Sequence, residues 1–188
     1  MPKYDFDPEI EFLGMKIQEN PLNGKLQDPS EESKKNRLAL KEIIVKRIVE
    51  GAELLHEDAL EEAIELSGGH IRQFIALLSQ AALHNLTYLD GEGIVSKTDV
   101  KEGSSYERQK LSRKLIEPKK IELLRHVLEK NTPISDQDAT FLQCALSNQV
   151  FVYKNSNFWY DVNPLIKGTV KLYAKQIKER GKNDSENA

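Results

Sequence analysis

The chain contains a single cysteine, Cys144, which excludes an intrachain disulfide and any cysteine-based zinc cluster. It lies in the apolar run Phe141, Leu142, Cys144, Ala145 and Leu146, where a thiol reads as a buried structural group rather than a nucleophile. No apolar stretch approaches the ~20 residues that span a bilayer. No basic-then-apolar leader opens the sequence. A cytoplasmic protein without membrane contact is therefore expected. The four histidines, His56, His70, His84 and His126, show no spacing with carboxylates that would hold a metal. A Gly-x-x-x-x-Gly-Lys-Ser/Thr loop is also missing, because Asn23-Gly24-Lys25-Leu26 does not supply one. The chain thus has no loop of its own that could cradle a nucleotide phosphate.

What is present is charge and helical periodicity. At 188 residues there is room for one domain or two small ones. The formal net charge of -3 hides an uneven distribution. Acids outnumber bases up to Glu32, while bases dominate from Arg108 to Arg125 and again from Lys167 to Lys182. Such asymmetry permits contact with nucleic acid or an acidic partner without demanding it.

The first residues are weakly patterned. One strand is expected within Ile10 to Ile17, followed by loop punctuation at Asn20-Pro21, Asn23-Gly24 and Asp28-Pro29. A lone strand needs a sheet from elsewhere. From Lys35, the face Leu40, Ile43, Ile44, Ile48 and Leu55 predicts a first helix. A second is expected from Glu57 to Leu66, closed by Gly68, and a third from His70 to Asn85 with the stripe Ile71, Phe74, Ile75, Leu78 and Ala82. Ser96-Lys97-Thr98-Asp99 has capping-box spacing and predicts a fourth helix start. Further helices are expected from Lys119 to Lys130 and from a second capping box at Ser135 to Leu146. Two strand-like runs follow, Gln149 to Tyr153 and Phe158 to Val162, joined by the turn residues Asn155-Ser156-Asn157. Asn163-Pro164 predicts the start of a last helix. Helix, turn, helix and hairpin is the order of a winged helix. The predicted fold is mainly α: a connecting segment over 1–34, a helical bundle over 35–105, a winged-helix-like unit with a small β-hairpin over 106–180, and a disordered polar tail over 181–188.

The run Ser67-Gly68-Gly69-His70-Ile71-Arg72 carries the most chemistry. It separates two helices and places an arginine in the first turn of the second. A helix N-terminus is already partly positive, so a cation there is better placed if it faces an anion. The competing reading of Arg72 is a solvated surface arginine. His70 reads first as a polar, exposed first-turn residue and second as a phosphate contact.

A helical bundle with Ser-Gly-Gly-x-x-Arg at the start of its third helix resembles the lid of AAA+ ATPases. With the winged-helix-like unit behind it, the chain is similar to the carboxy-terminal half of initiator-type and related bacterial P-loop ATPases. The run Trp159-Tyr160-Asp161-Val162-Asn163-Pro164 is similar to one near the ends of such ATPases. The resemblance extends from about Leu38 to Lys171. It implies that Arg72 is the sensor 2 arginine, reaching from the lid to the terminal phosphates of ATP on the core. It implies that Gly68 and Gly69 let the lid backbone approach the nucleotide, and that Glu11 to Leu22 is the last stretch of the core. The resemblance further implies a non-catalytic module, either cut from a longer ATPase or shortened from one. Such a module has no cofactor of its own, since ATP and magnesium are expected only with the missing core. The ATPase core itself would be its first partner.

The winged unit also invites a DNA reading. Asp136 to Asn148 includes two acids and no Lys or Arg, so a protein contact or a structural role for that helix is favoured over base readout. The wing tip adds only Lys154. DNA contact, not favoured, would fall on Arg108, Lys110, Arg113, Lys114, Lys119 and Lys120, or on Lys167, Lys171, Lys175 and Lys178 at helical spacing. Trp159 and Tyr160 read as core or as stacking platforms for bases. A stand-alone winged-helix nucleic-acid-binding regulator is the alternative to the lid.

Overall fold

Why the chain helicises where it does is visible at the helix ends. The computed structural model describes residues 31–46, 54–88, 93–115, 117–132, 138–154 and 158–186. Seven helices and one two-stranded antiparallel hairpin occur among them. Helix α1 spans Glu31–Val45, with Glu31 and Glu32 in its first turn, where the helix dipole favours acids. Leu40 buries fully, while Arg37 pairs with Glu61 and Glu65 and Lys41 with Glu57 and Glu61 of the next helix. Helix α2 (Glu57–Ser67) ends at Gly68 in the left-handed conformation, whose N–H bonds the Glu65 carbonyl. Helix α3 spans Ile71–Tyr88 and α4 spans Lys97–Ser112.

Leu55, read as part of the first helical face, instead lies beyond α1. It forms an isolated parallel bridge with Val95: His56 N–H donates to the Val95 carbonyl (3.0 Å) and Val95 N–H to that of Leu54 (2.9 Å). The bridge ties the entry of α2 to the entry of α4. Ile48, the predicted strand at Ile10 to Ile17 and the Ser135 capping residue lie outside the described residues.

Ser96 starts α4 through a complete capping box. Its partner Asp99 is 2% exposed. Asp99 accepts from the Ser96 N–H and hydroxyl (both 2.8 Å), and its other oxygen meets His84 Nδ1 at 2.9 Å. Burial opposes its charge, but Ser96, His84 and Asn85 outweigh burial and hold the carboxyl at about 2. Because this folded-state value lies below the unfolded one near 3.9, the stabilisation is full above pH ~4 and is lost as pH falls toward 2. The difference corresponds to about 2 kcal/mol. Asp99→Asn is expected to flatten the acid limb of stability between pH 4 and 2, followed by circular dichroism. An acid limb identical to wild type would show that this carboxylate carries none of it.

Helix α5 (Pro118–Lys130) takes Pro at its first position and ends at Asn131, left-handed at φ 56°. Helix α6 (Ala139–Leu146) is capped by Asp138, whose carboxylate accepts from Thr140 N–H at 2.7 Å. Asp138, the last residue of the run read as a capping box, is the N-cap residue, and the Ser135 end of that run lies outside the described residues. Strands β1 (Val150–Lys154) and β2 (Phe158–Val162) pair from Val150 opposite Val162 to Lys154 opposite Phe158. A 3-10 turn, Pro164–Ile166, leads into α7 (Lys167–Glu186). Helix α7 thus continues to Glu186, whereas the sequence reading ends regular structure at Gly181.

One apolar core runs from Leu40 through Phe74, Leu77, Val100, Leu111, Leu124, Cys144 and Val162 to Val170. The line drawn between residues 105 and 106 falls inside α4, whose Val100 and Leu111 both enter that core. Among the described residues no helix is long and apolar enough to cross a membrane.

Candidate functional site

The Ser67–Arg72 turn is built by short-range polar groups. The Ser67 hydroxyl donates to the Ile64 carbonyl (2.8 Å) and accepts from Gly69 N–H (3.3 Å). Gly68 and Gly69 both take positive φ, 59° and 82°. His70 caps α3: its Nδ1 accepts from Gln73 N–H at 3.2 Å, so that nitrogen carries no proton. Burial, with Arg72 nearby, holds the imidazole pKa below its ordinary value. His70 is half-buried rather than an exposed polar residue, and its ring lies parallel to Phe151 at 5.4 Å between centroids.

The hairpin covers this turn. Alternation along β1 and β2 sends Val150 and Val162 into the main core and Phe151, Tyr153 and Trp159 into a second cluster on the opposite face. Tyr153 is 1% exposed, and its hydroxyl donates to the Gly68 carbonyl at 2.7 Å. Burial pushes its phenol pKa upward, which keeps the donor proton in place. Trp159 stacks on Tyr153 at 4.2 Å, with rings 13° from parallel. A Cβ on Gly68 would lie 2.9 Å from Phe151 Cε2 and 2.9 Å from the Tyr153 hydroxyl. Within this chain, then, the close backbone approach that Gly68 permits is to the hairpin. Gly69 is buried as well.

A second tie is an amide pair. Asn163 Nδ2 donates to Gln73 Oε1 (2.8 Å) and Gln73 Nε2 donates to Asn163 Oδ1 (3.1 Å). Asn163 also bonds the Asn148 carbonyl (2.8 Å) and caps the 3-10 turn at Leu165 N–H (3.0 Å). Gln73 reaches the Leu66 carbonyl (2.9 Å). The first turn of α3 is therefore held from both ends of the hairpin. The sequence reading saw Asn163 only as a cap. The partners Gln73, Phe151 and Tyr153 had no signal of their own, since each contact joins residues some 80 to 90 positions apart.

Arg72 stands out against this packed setting. It is exposed and makes no ion pair or hydrogen bond among the described residues. The remaining basic candidates divide. Lys120 is buried and pairs with Glu117 (2.9 Å), and Lys167 pairs with the buried Asp161 (2.6 Å). Burial raises the Asp161 carboxyl pKa and the Lys167 ammonium opposes that rise. Lys110 lies 3.7 Å from Glu107, Lys175 3.8 Å from Glu179, and Arg108 donates to the Ser104 hydroxyl at 3.2 Å. Arg113, Lys114, Lys119 and Lys171 are exposed, while the side chains of Lys154 and Lys178 lie outside the described residues. Lys171 and Lys175 join Arg125 along a groove floored by Leu128, Val170 and Ala174. Trp159 is 4% exposed and presents no face to a base, and Tyr160 meets Phe141 edge-on. The helix α6 exposes Leu142 and Leu146. No group of three His, Cys, Asp or Glu residues among the described residues could hold a metal ion. No family model, curated protein or solved structure matches the chain.

Proposed function

We propose that the chain is the non-catalytic lid and carboxy-terminal module of a P-loop ATPase, with Arg72 as the group that senses ATP held on the core. The observation that carries this reading is the placement of Arg72. It is an exposed cation at the positive end of α3, with no ion pair among the described residues, next to a turn whose groups are buried and bonded. A guanidinium in that position fits the terminal phosphates of a nucleotide presented from outside the chain. Magnesium and the phosphate cradle belong to the core. The module's contribution is coupling, in which engagement of Arg72 favours one lid position over another.

The test is Arg72→Ala in the ATPase that carries this module. Loss of one charge-assisted contact lowers turnover, or the nucleotide-dependent conformational change, by roughly tenfold or more. The fold should stay intact, because Arg72 is exposed. Unchanged turnover together with an unchanged conformational response would refute the sensor role.

The nucleic-acid regulator is the second reading, resting on exposed Arg113, Lys114, Lys119 and Lys171. It requires duplex binding that weakens steeply with salt. The ion pairs of Lys120 and Lys167 weigh against it, since those cations are already neutralised within the chain.

A further inference from the structure

The turn that carries Arg72 and the hairpin behind it share a hydrogen bond, a stacked ring pair and an amide pair. None of these contacts is needed to hold Arg72 itself. They run in series: the Gly68 carbonyl to the Tyr153 hydroxyl, and Tyr153 to the face of Trp159. Each group in that series is buried and close-packed, so a shift at one end cannot be absorbed without a shift at the next. The hairpin is a single pair of five-residue strands, so its two strands can shift together as one small unit.

We propose that the β1–β2 hairpin is the output of the Arg72 turn: anion engagement by Arg72 repositions the Ser67–His70 backbone, and the Gly68–Tyr153–Trp159 series carries that change into the hairpin. The proposal rests on the reading of Arg72 as a phosphate-facing group and adds the element through which that group acts. Tyr153 is a positioning residue in this scheme, since it touches no ligand. Coupling of this kind is reciprocal, so a hairpin change alters anion affinity at Arg72 by the same factor that the anion alters the hairpin.

Trp159 is the only tryptophan, so its indole signal reports the hairpin without ambiguity. The nitrogen-15-labelled chain is titrated with inorganic tripolyphosphate, following the Arg72 Nε–H and Trp159 indole resonances together. Both are expected to shift with one midpoint, and the Trp159 shift should vanish in Arg72→Gln. In Tyr153→Phe, which keeps the ring, the Arg72 resonance should still shift. There the Trp159 response should be lost and the midpoint changed about fivefold or more. Phe151→Leu, which removes no hydrogen bond, serves as the second variant if Tyr153→Phe is unfolded by circular dichroism. An Arg72 shift with a silent Trp159 overturns the coupling and leaves the Arg72 reading standing. A Trp159 response that survives Arg72→Gln also overturns it. A silent Arg72 resonance removes the phosphate reading and the coupling with it.

Discussion

Gly68→Ala is expected to destabilise the fold by about 2–5 kcal/mol, from two separable causes. The first is backbone: Gly68 sits at φ 59°, where a Cβ costs roughly 1–2 kcal/mol. The second is steric. The new Cβ would lie 2.9 Å from Phe151 Cε2 and 2.9 Å from the Tyr153 hydroxyl. Neither neighbour is free to yield, because Tyr153 is bonded to the Gly68 carbonyl and stacked on Trp159, and Phe151 is stacked on His70. Overpacking of this kind costs about 1–3 kcal/mol. For a chain of this size the sum lowers the melting temperature on the order of 10 °C. The combination Gly68→Ala with Phe151→Leu separates the causes. It should recover part of the steric cost and none of the backbone cost. Thermal melts of the single and double variants make the comparison. An alanine variant melting within a degree of wild type would mean that the hairpin does not press on the turn.

That contact bears on what could be read from sequence. The helices were legible because their signals are local. Gly68 announced the end of α2, Ser96 and Asp99 announced the start of α4, and the 3.6-residue stripe of Phe74 and Leu78 announced α3. The hairpin was legible from its alternation and its Asn-rich turn. One local reading slipped by a local rule: Leu55 matched a helical period while bridging to Val95. The two glycines were visible, but the reason for Gly68 within this chain was not. Sequence pointed to a nucleotide as the thing it must approach, and in the fold Phe151 and Tyr153 lie against it, 83 and 85 residues further on. Pairings at that separation leave no periodicity, so Gln73 with Asn163 and Tyr153 with Gly68 are tertiary information. Arg72 was the opposite case. Its type and its place in a first turn were both local, and the structure adds that it is exposed, with no ion pair among the described residues.

Asn163→Ala is expected to cost about 3–4 kcal/mol, because the side chain that it truncates serves three other groups at once. Asn163 is 0% exposed, so no water replaces what is lost. Its amide answers Gln73 in both directions, holds the Asn148 carbonyl and caps Leu165 N–H. Removing it leaves Gln73 Oε1 and Leu165 N–H without these partners in a buried setting and takes a donor from the half-buried Asn148 carbonyl, and an unsatisfied buried group costs roughly 1–3 kcal/mol. Gln73→Ala is milder, since Asn163 retains its bonds to Asn148 and Leu165 while the Leu66 carbonyl loses a donor. The double variant should be less destabilised than the sum of the two singles, by about 0.5–3 kcal/mol, because the second truncation removes a group that the first had left unpaired. Denaturant unfolding of the four proteins closes the cycle. Additivity within about 0.3 kcal/mol would mean that the two amides do not act as a pair. The same cycle, followed by amide exchange, locates the effect. Losing the pair should speed exchange at Phe74 and Leu77 in α3 and at Phe151 in β1 together, since the start of α3 and the hairpin hold each other. Faster exchange on one side alone would mean that the hairpin and the Arg72 turn move independently.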